Sequence, residues 1–442
     1  MENYGSGPST GLDQTALGKI LTGFTAEDLS MSNDDKKILR DLAAKVAEIA
    51  ASPEMKEART LWQQINSLVK CRPVIFCDPE NGWNEIITQA QMQCQGKLAR
   101  RWEMDLRKEI FWGEEMRDDK PVEPFFDVSY TVAPDDWGVE IVSHQTDASG
   151  STVWENPIKN YDKDLPRLQM PTVEIDWETS KGCFAIAQDV LGDILTVRLK
   201  GTWWWSLGVT LPTVSLRGLN NIYLDFYYNP DGLKALLEFI SKAHRTKLDY
   251  LEQNNLLSLN NDGTYIGSGG YGFTEELPQH DFDGHVRTVD MWGFTESQET
   301  VNVSPEMYAE FIFPYEKPIM ERFGLNCYGC CEGLHSRWQI VKNHHRLRRV
   351  SCSPWANIAK MAAYLEDQYI FSMKPSPTPL ATPHMDKDAI RHDLRKALEK
   401  TKNCVVEILM KDNHTIGNKP ENVAEWCRIA KEEALRIADN QK

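Results

Sequence analysis

The stretch LNCYGCCEGLHSRW, Leu325 to Trp338, places Cys327, Cys330, Cys331, Glu332 and His335 within a few positions of one another, after an apolar segment. Thiolates are soft ligands and a carboxylate is a hard one, so Cys330, Cys331 and Glu332 offer donors for a metal such as zinc. Adjacent side chains on an extended chain point to opposite sides, so only one of Cys330 and Cys331 is expected to face a common centre. A second reading is that the cysteines are small buried hydrophobes, a frequent role for that residue. His335 falls in the following helix and reads as an ordinary helix residue. A further metal-ligand candidate, His414 in MKDNHT, and a carboxylate, Glu296 in WGFTESQE, lie far along the chain, so the fold has to gather them.

Other stretches offer walls and charges for such a centre. Trp203, Trp204 and Trp205 follow Gly201 at the end of an apolar run. Consecutive residues alternate sides, so one or two of these rings are placed to stack on a planar substrate, the alternative being that they pack between layers. GSGGYGF, Gly267 to Phe273, lets backbone approach something closely and carries Tyr271 as a further substrate-binding candidate. It lacks the helix context of a dinucleotide fingerprint. Lys374 precedes PSPTP and reads either as a partner for a substrate carboxylate or as a surface lysine at a strand end. HDFDGH, His280 to His285, tempts a metal reading, but its position in a loop favours a solvated lid.

Composition sets the frame around these residues. Lys and Arg total 49 against 65 Asp and Glu, a net charge of −16, which repels a phosphate backbone and argues against a nucleic-acid partner. No apolar run approaches the roughly 18 residues needed to span a bilayer, so no membrane partner is expected. The N-terminus, MENYGSGPSTGLDQ, lacks the basic and apolar regions of a secretory signal and reads as a floppy tail, which implies a cytoplasmic location. Ten cysteines without such a signal read as thiols or metal ligands rather than as a disulfide framework.

The elements that would position these residues follow from periodicity. Apolar positions recurring at three and four predict a helical extension from about residue 33 to 69. RPVIFC is then a short buried strand, followed by a turn and a long helix through KLARRWEMDLRKEIFWGEEM. After PVEPFFDVSYTVA, a long polar excursion carries a hairpin, WGVEIVSHQTDASGSTVWEN. From there strand, polar loop and helix repeat: ILTVRLK, GTYIGSGGYG, LNCYGC, LRRVSCS, YIFSMKP and CVVEILMK are the strands, each followed by a helical segment. The count approaches eight and predicts an α/β protein, a (β/α)8 TIM barrel with a helical N-terminal extension, with an open doubly wound sheet as the alternative. Two units are expected, a flexible tail and helical extension over 1–69 and the barrel over 70–442. In a barrel, chemistry sits just past the strand C-terminal ends, here Cys77–Asp78, Gly201–Trp205, Gly267–Tyr271, Cys330–Glu332, Ser351–Ser353, Lys374 and Lys411–His414.

VSPEMYAEFIFPYEKPIMERFGLNCYGCCE, LRRVSCSPWANIAKMAAYLEDQYIFSMKPSP and LRGLNNIYLDFYYNPDGLKALLEFI, taken with the RPVIF strand, resemble the uroporphyrinogen decarboxylase-like superfamily over roughly residues 70–440. The build is most similar to the methyltransferase component of corrinoid-dependent O-demethylase systems. Zinc-dependent methyltransferases of that superfamily place a His-x-Cys pair after the fifth strand and a cysteine near the last. Here Tyr328 stands where the histidine would fall, Cys330 matches the cysteine, and the last strand offers Asp412 and His414 instead. No arginine cluster near Arg72 matches the decarboxylase's tetrapyrrole site.

The resemblance implies a methyltransferase that demethylates a methoxylated, aromatic compound and passes the methyl group to the cobalt of a separate corrinoid protein. No Asp-x-His-x-x-Gly cobalamin signature occurs in the chain, so the corrinoid would arrive on a partner. A methyl ether needs its leaving oxygen protonated or coordinated, which assigns Glu332, Tyr328 and Lys374 as catalytic candidates, and Cys330, Cys331 and His414 as ligands of a zinc ion. Trp203, Trp204, Trp205, Tyr271 and Glu296 are the substrate-binding candidates. The partners named are a corrinoid protein and a small-molecule methyl donor, with a homodimer as the assembly considered. The alternatives are a decarboxylase of a small acid or tetrapyrrole, and a non-catalytic tetrapyrrole-binding barrel.

Overall fold

The computed structural model describes residues 28–133, 137–145 and 152–440. Most of the expected N-terminal tail and the tip of the expected hairpin lie outside these residues. The helical extension consists of two helices, α1 (Asn33–Ala50) and α2 (Pro53–Asn66). Ser32 caps α1 by accepting from the Asp35 amide at 3.0 Å. Pro53 ends the first helix, because the residue before a proline is steered out of the α region, and Ser52 is extended at φ −69°, ψ 153°.

Among the described residues ten strands follow: β1 (Val74–Cys77), β2 (Phe125–Ser129), β3 (Val142–Gln145), β4 (Thr152–Glu155), β5 (Thr196–Lys200), β6 (Trp292–Thr295), β7 (Leu325–Tyr328), β8 (Leu347–Cys352), β9 (Ile370–Met373) and β10 (Val405–Met410). Six form one sheet in the order β1-β10-β9-β8-β7-β6, all of its pairings parallel. β2 and β5 pair in parallel as a second, and β3 and β4 form the antiparallel hairpin. The result is a barrel-like α/β fold whose parallel strands lie in two arcs.

Side chains and loop backbone occupy the free edges of these arcs, where amides would otherwise go unpaired. Along β1, the Asp119 carboxylate accepts from the Ile75 amide at 2.8 Å and the Asp118 carboxylate from the Cys77 amide at 2.8 Å. Asp119 is itself held by Arg72 through two bonds of 2.7 Å. Along β6, Asn260 both accepts from the Trp292 amide (2.9 Å) and donates to its carbonyl (3.0 Å), doing the work of a neighbouring strand.

The lumen is filled by the glycine-rich segment. Tyr265 and Tyr271 face each other across a tight antiparallel turn, and the Ile266 amide donates to the Gly270 carbonyl at 3.0 Å. A Cβ on Gly267, Gly269 or Gly270 would lie 2.9 Å from Cys327 of β7, 2.7 Å from Leu409 of β10 and 3.0 Å from Arg349 of β8, respectively. The turn is thus threaded between three strands. What the glycines approach closely is the barrel's own interior. Gly269 has φ +114°, outside the range of L-residues. Gly269→Ala should therefore lower the urea midpoint by an amount corresponding to about 1–3 kcal/mol, with an unchanged m-value. An unshifted midpoint would mean the turn does not fill the lumen as described.

From the opposite end, Asn66 of α2 donates to the carbonyls of Tyr271 (2.8 Å) and Phe273 (2.7 Å) and accepts from Arg349 (2.6 Å). The helical extension is therefore the barrel floor. Among the described residues, no helix is long and apolar enough to cross a membrane.

Candidate active site

Side chains two residues apart on a strand share a face, so the lumen face of each strand can be followed upward to its C-terminal end. On β10 it carries Glu407, Leu409 and then Lys411; on β9, Ser372 and Lys374; on β6, Trp292, Phe294 and Glu296. Lys374 and Lys411 are each only 4% exposed. Lys411 Nζ lies 2.6 Å from Asp412 Oδ1, and Lys374 Nζ donates to Ser372 Oγ at 3.2 Å. Burial penalises the Lys411 ammonium, yet Cys330, Asp412 and Glu80 hold its pKa well above the lysine range. Lys374 is pulled down by burial and by Lys411.

Cys330 and Cys331 sit over these lysines with their sulfurs 3.6 Å apart, Cys330 buried and Cys331 exposed. Their mutual hydrogen bond pushes the Cys330 thiol up and pulls Cys331 below the usual thiol range. Glu332 is buried but turned away from the mouth. Its two oxygens accept from the amides of Ser297 (2.9 Å) and Cys330 (2.8 Å), bracing the loops after β6 and β7. It is placed to shape the site rather than to give up a proton.

Glu296 is fully buried, with Ser206 Oγ donating to Oε1 at 3.2 Å and the Gln298 amide to Oε2 at 3.1 Å. Burial, and then the neighbouring Glu299, Glu332 and Cys330, push its carboxyl well above the usual range, which favours the protonated form. Beneath it on the same face, Phe294 meets Trp205 edge to face, with centroids 5.3 Å apart. Trp205 is the tryptophan of the three that packs against the lumen cluster.

The remaining candidates lie elsewhere. Tyr328 alternates with the inward Cys327 and so points out into the helix layer. There its hydroxyl meets Tyr308 (2.8 Å), Glu316 (2.9 Å) and Ser297 (3.0 Å), and its ring stacks on His344. Trp203 stacks on Tyr130 and donates to the Leu256 carbonyl at 2.8 Å, and Trp204 packs against Phe323, so both are packing residues. Tyr271 lies deep in the lumen against Trp62 and Phe76, out of a substrate's reach. His414 is exposed, 3.5 Å from Asn81. Among the described residues, no group of three or more His, Cys, Asp or Glu side chains has metal-binding geometry, so Cys330, Cys331 and His414 do not assemble as a zinc site. In HDFDGH, Asp281 is held to Arg287 by bonds of 2.9 and 2.7 Å, which ties that loop down.

Among the described residues, the buried Glu80 Oε1 and, on the lumen turn, Tyr265 OH and Ser268 Oγ have no hydrogen-bond partner. Sequence reasoning missed Glu80, although its place three residues past β1 puts it in the ring of strand ends. Burial pushes Glu80 up to about 8, with Lys411 opposing and Asp78 and Asp412 reinforcing. A carboxyl whose folded pKa exceeds its unfolded value of roughly 4.3 stabilises the fold most below that value and loses the contribution as pH rises towards the folded one. The Glu80 contribution is therefore lost between about pH 4.3 and 8. Thermal melts should show Glu80→Gln gaining on the parent protein as pH is raised from 5.5 to 8; parallel pH profiles would contradict the burial.

No family model matches the sequence, and no curated protein matches it. Among solved structures, the fold is similar to that of a methyltransferase from Methanosarcina mazei, with 10% sequence identity, a TM-score of 0.50, and 85% of this chain and 98% of that chain covered. At that identity the likeness concerns the path of the chain.

Proposed function

We propose that the protein is a methyltransferase that takes a methyl group from a methoxylated aromatic compound and passes it to a reduced corrinoid carried by a separate protein. The observation that carries this reading is Glu296, a buried carboxyl whose protonated form burial favours, above the aromatic wall of Phe294 and Trp205. A methyl ether resists cleavage because its leaving group is a phenoxide, and a positioned acid removes that obstacle. The ring would lie against Trp205, with the ether oxygen facing Glu296. As the acceptor's electron pair forms the new bond to the methyl carbon, the C–O pair stays with oxygen and takes the Glu296 proton, so that a phenol leaves. Glu296 is then reprotonated from solvent. The likeness of chain path to a methyltransferase supports the reading. Because the cysteines and His414 do not assemble as a ligand set, leaving-group activation is assigned to the acid and no step is routed through zinc.

The test is anaerobic incubation with a reduced corrinoid protein and a panel of methoxylated aromatics and methylamines, following the cobalt absorbance. Methylation from the methoxylated aromatics alone is the expected result. No methylation from any donor, with a corrinoid protein competent alongside another methyltransferase, would overturn the reading. Carbon dioxide release from an aromatic acid would replace it with decarboxylation.

A further inference from the structure

Cys330 and Cys331 are neighbours in the chain and their sulfurs stand 3.6 Å apart, one buried and the other exposed. Among the described residues Cys331 is the one exposed cysteine; eight others are buried and Cys71 is half-buried. An oxidant arriving from solvent therefore meets a thiol that already has a second thiol in contact with it. The backbone around the pair is held from two sides. The Cys330 amide donates to one Glu332 oxygen at 2.8 Å, and the Cys330 carbonyl, part of the peptide that joins the two cysteines, accepts from Ser351 Oγ at 2.8 Å. The other Glu332 oxygen accepts from the amide of Ser297, the residue after Glu296, at 2.9 Å. Gly329, at φ +88°, turns the chain directly before the pair.

We propose that Cys330 and Cys331 form a reversible oxidation site for peroxides, closing to a disulfide between adjacent residues that displaces the loop after β7. The Cys331 thiolate attacks one oxygen of hydrogen peroxide and the O–O bond breaks. Hydroxide leaves, takes up the proton that Cys331 had released and becomes water, and Cys331 is left as a sulfenic acid. The Cys330 sulfur then attacks the Cys331 sulfur, the S–O bond breaks, and the oxygen departs with the Cys330 proton as a second water. Two thiols have lost two electrons and one peroxide has gained them. Adjacent Cα atoms are about 3.8 Å apart, closer than the roughly 4.4–6.8 Å of ordinary disulfides, so the bond is strained and a reducing thiol reopens it readily. Closing the ring turns the peptide between the two cysteines and draws the Cys330 carbonyl away from Ser351. Through Glu332 the displacement reaches the Ser297 amide and the loop that carries Glu296. A slower methyl transfer by the oxidised protein rests on the methyl-transfer reading; the chemistry at sulfur does not.

Treating the full chain with dilute hydrogen peroxide, blocking the free thiols and weighing the tryptic peptides tests this without any substrate. The expected product is a peptide holding both cysteines and lighter by about 2 Da, the mass of two hydrogens, with the loss reversed by dithiothreitol. Cys330→Ser should lose that product and gather oxygen on Cys331 instead, and Cys331→Ser should lose it outright. Cys327 lies in the same tryptic peptide, so the product should survive Cys327→Ser. In the oxidised protein, hydrogen exchange should quicken about 10-fold in the peptides that contain the Ser297 and Cys330 amides, the protection that one hydrogen bond to a carboxylate gives. Oxygen added to Cys331 with no lighter species, a disulfide between chains, or a bond that requires Cys327 would overturn the oxidation site. A disulfide that forms while exchange at both loops stays unchanged would overturn its coupling to the Glu296 loop. Should a variant fail to fold, the parent protein's peptide masses and exchange rates still decide. Absence of methyl transfer by both the reduced and the oxidised protein would retire the methyl-transfer reading and leave the oxidation site standing.

Discussion

Glu296→Gln should lower the rate of methyl transfer by about 10²–10⁴-fold, the usual contribution of a general acid, while substrate affinity changes little. Glutamine keeps the size of the side chain; its one amide oxygen can still accept from the Gln298 amide, which reaches one carboxyl oxygen at 3.1 Å, and its NH2 can donate to Ser206 Oγ, 3.2 Å from the other. What it lacks is a transferable proton. The deficit should therefore depend on the leaving group. An ether of a nitrophenol, whose phenoxide needs little help, should lose far less in the variant than an ether of an unactivated phenol. The parent rate should also fall with rising pH, along a limb displaced above the usual carboxylate range, because burial and neighbouring carboxylates favour the protonated form of Glu296. Single-turnover rates for the two ethers, with parent and variant, check this. An equal loss for both would move Glu296 from proton donor to packing residue.

The largest effect on stability is expected at the centre of the lumen. Arg349 and Glu407 form an ion pair of 2.9 Å with side chains 2% and 0% exposed. The same guanidinium donates to Asn66 Oδ1 at 2.6 Å, approaches Cys327 Sγ at 3.6 Å and lies 5.4 Å from the Trp292 ring centroid. It thereby joins β8 and β10 to the floor helix, to β7 and to the glycine-rich turn. Arg349→Met leaves Glu407 charged and alone in the interior, which should cost about 3–5 kcal/mol. The Arg349→Met, Glu407→Leu double variant removes the stranded charge and should recover most of that loss. Urea denaturation of the four proteins in the cycle measures both values. A loss of under about 1 kcal/mol in the single variant would show that water reaches the pair and screens it.

Strands late in the chain were the most legible in the sequence. CVVEILMK and YIFSMKP are apolar runs bounded by polar turns, and they became Val405–Met410 and Ile370–Met373. The expected eight parallel strands were found only in part where they were expected. GTYIGSGGYG makes a turn within the lumen rather than a wall strand, and PVEPFFDVSYTVA contributes β2. Glycines announce close approach, but the partner, here Cys327, Leu409 and Arg349, is set by tertiary packing.

The site was harder to read for a related reason. Tyr328 was assigned by its distance from Cys330, yet which face of β7 it occupies depends on register, and the register shifts at Asn326–Cys327. Lys374 directly follows the strand expected at YIFSMKP, whereas the strand that places Glu296, Trp292–Thr295, was not among those expected. Arg349 and Glu407 could have been found in the same way, since each is a charged residue within a short apolar run, and a lone charge there has to find a partner.

The pairing of β1 with β10 also bears on how the chain is made. Cys77 registers with Met410, more than 300 residues later. At roughly 5–20 residues per second, a ribosome would leave the β1 edge without its partner strand for roughly 15–70 s. Throughout that interval VIFC is an apolar segment with unsatisfied amides, the kind of surface that associates with other chains. Asp118 and Asp119 emerge soon after it and can occupy the opposite edge at once, through the same amides of Cys77 and Ile75 that they hold in the finished fold. In the nascent chain, then, these two aspartates act as an early guard on the first strand, and the barrel becomes continuous on its other side only once β10 has been made.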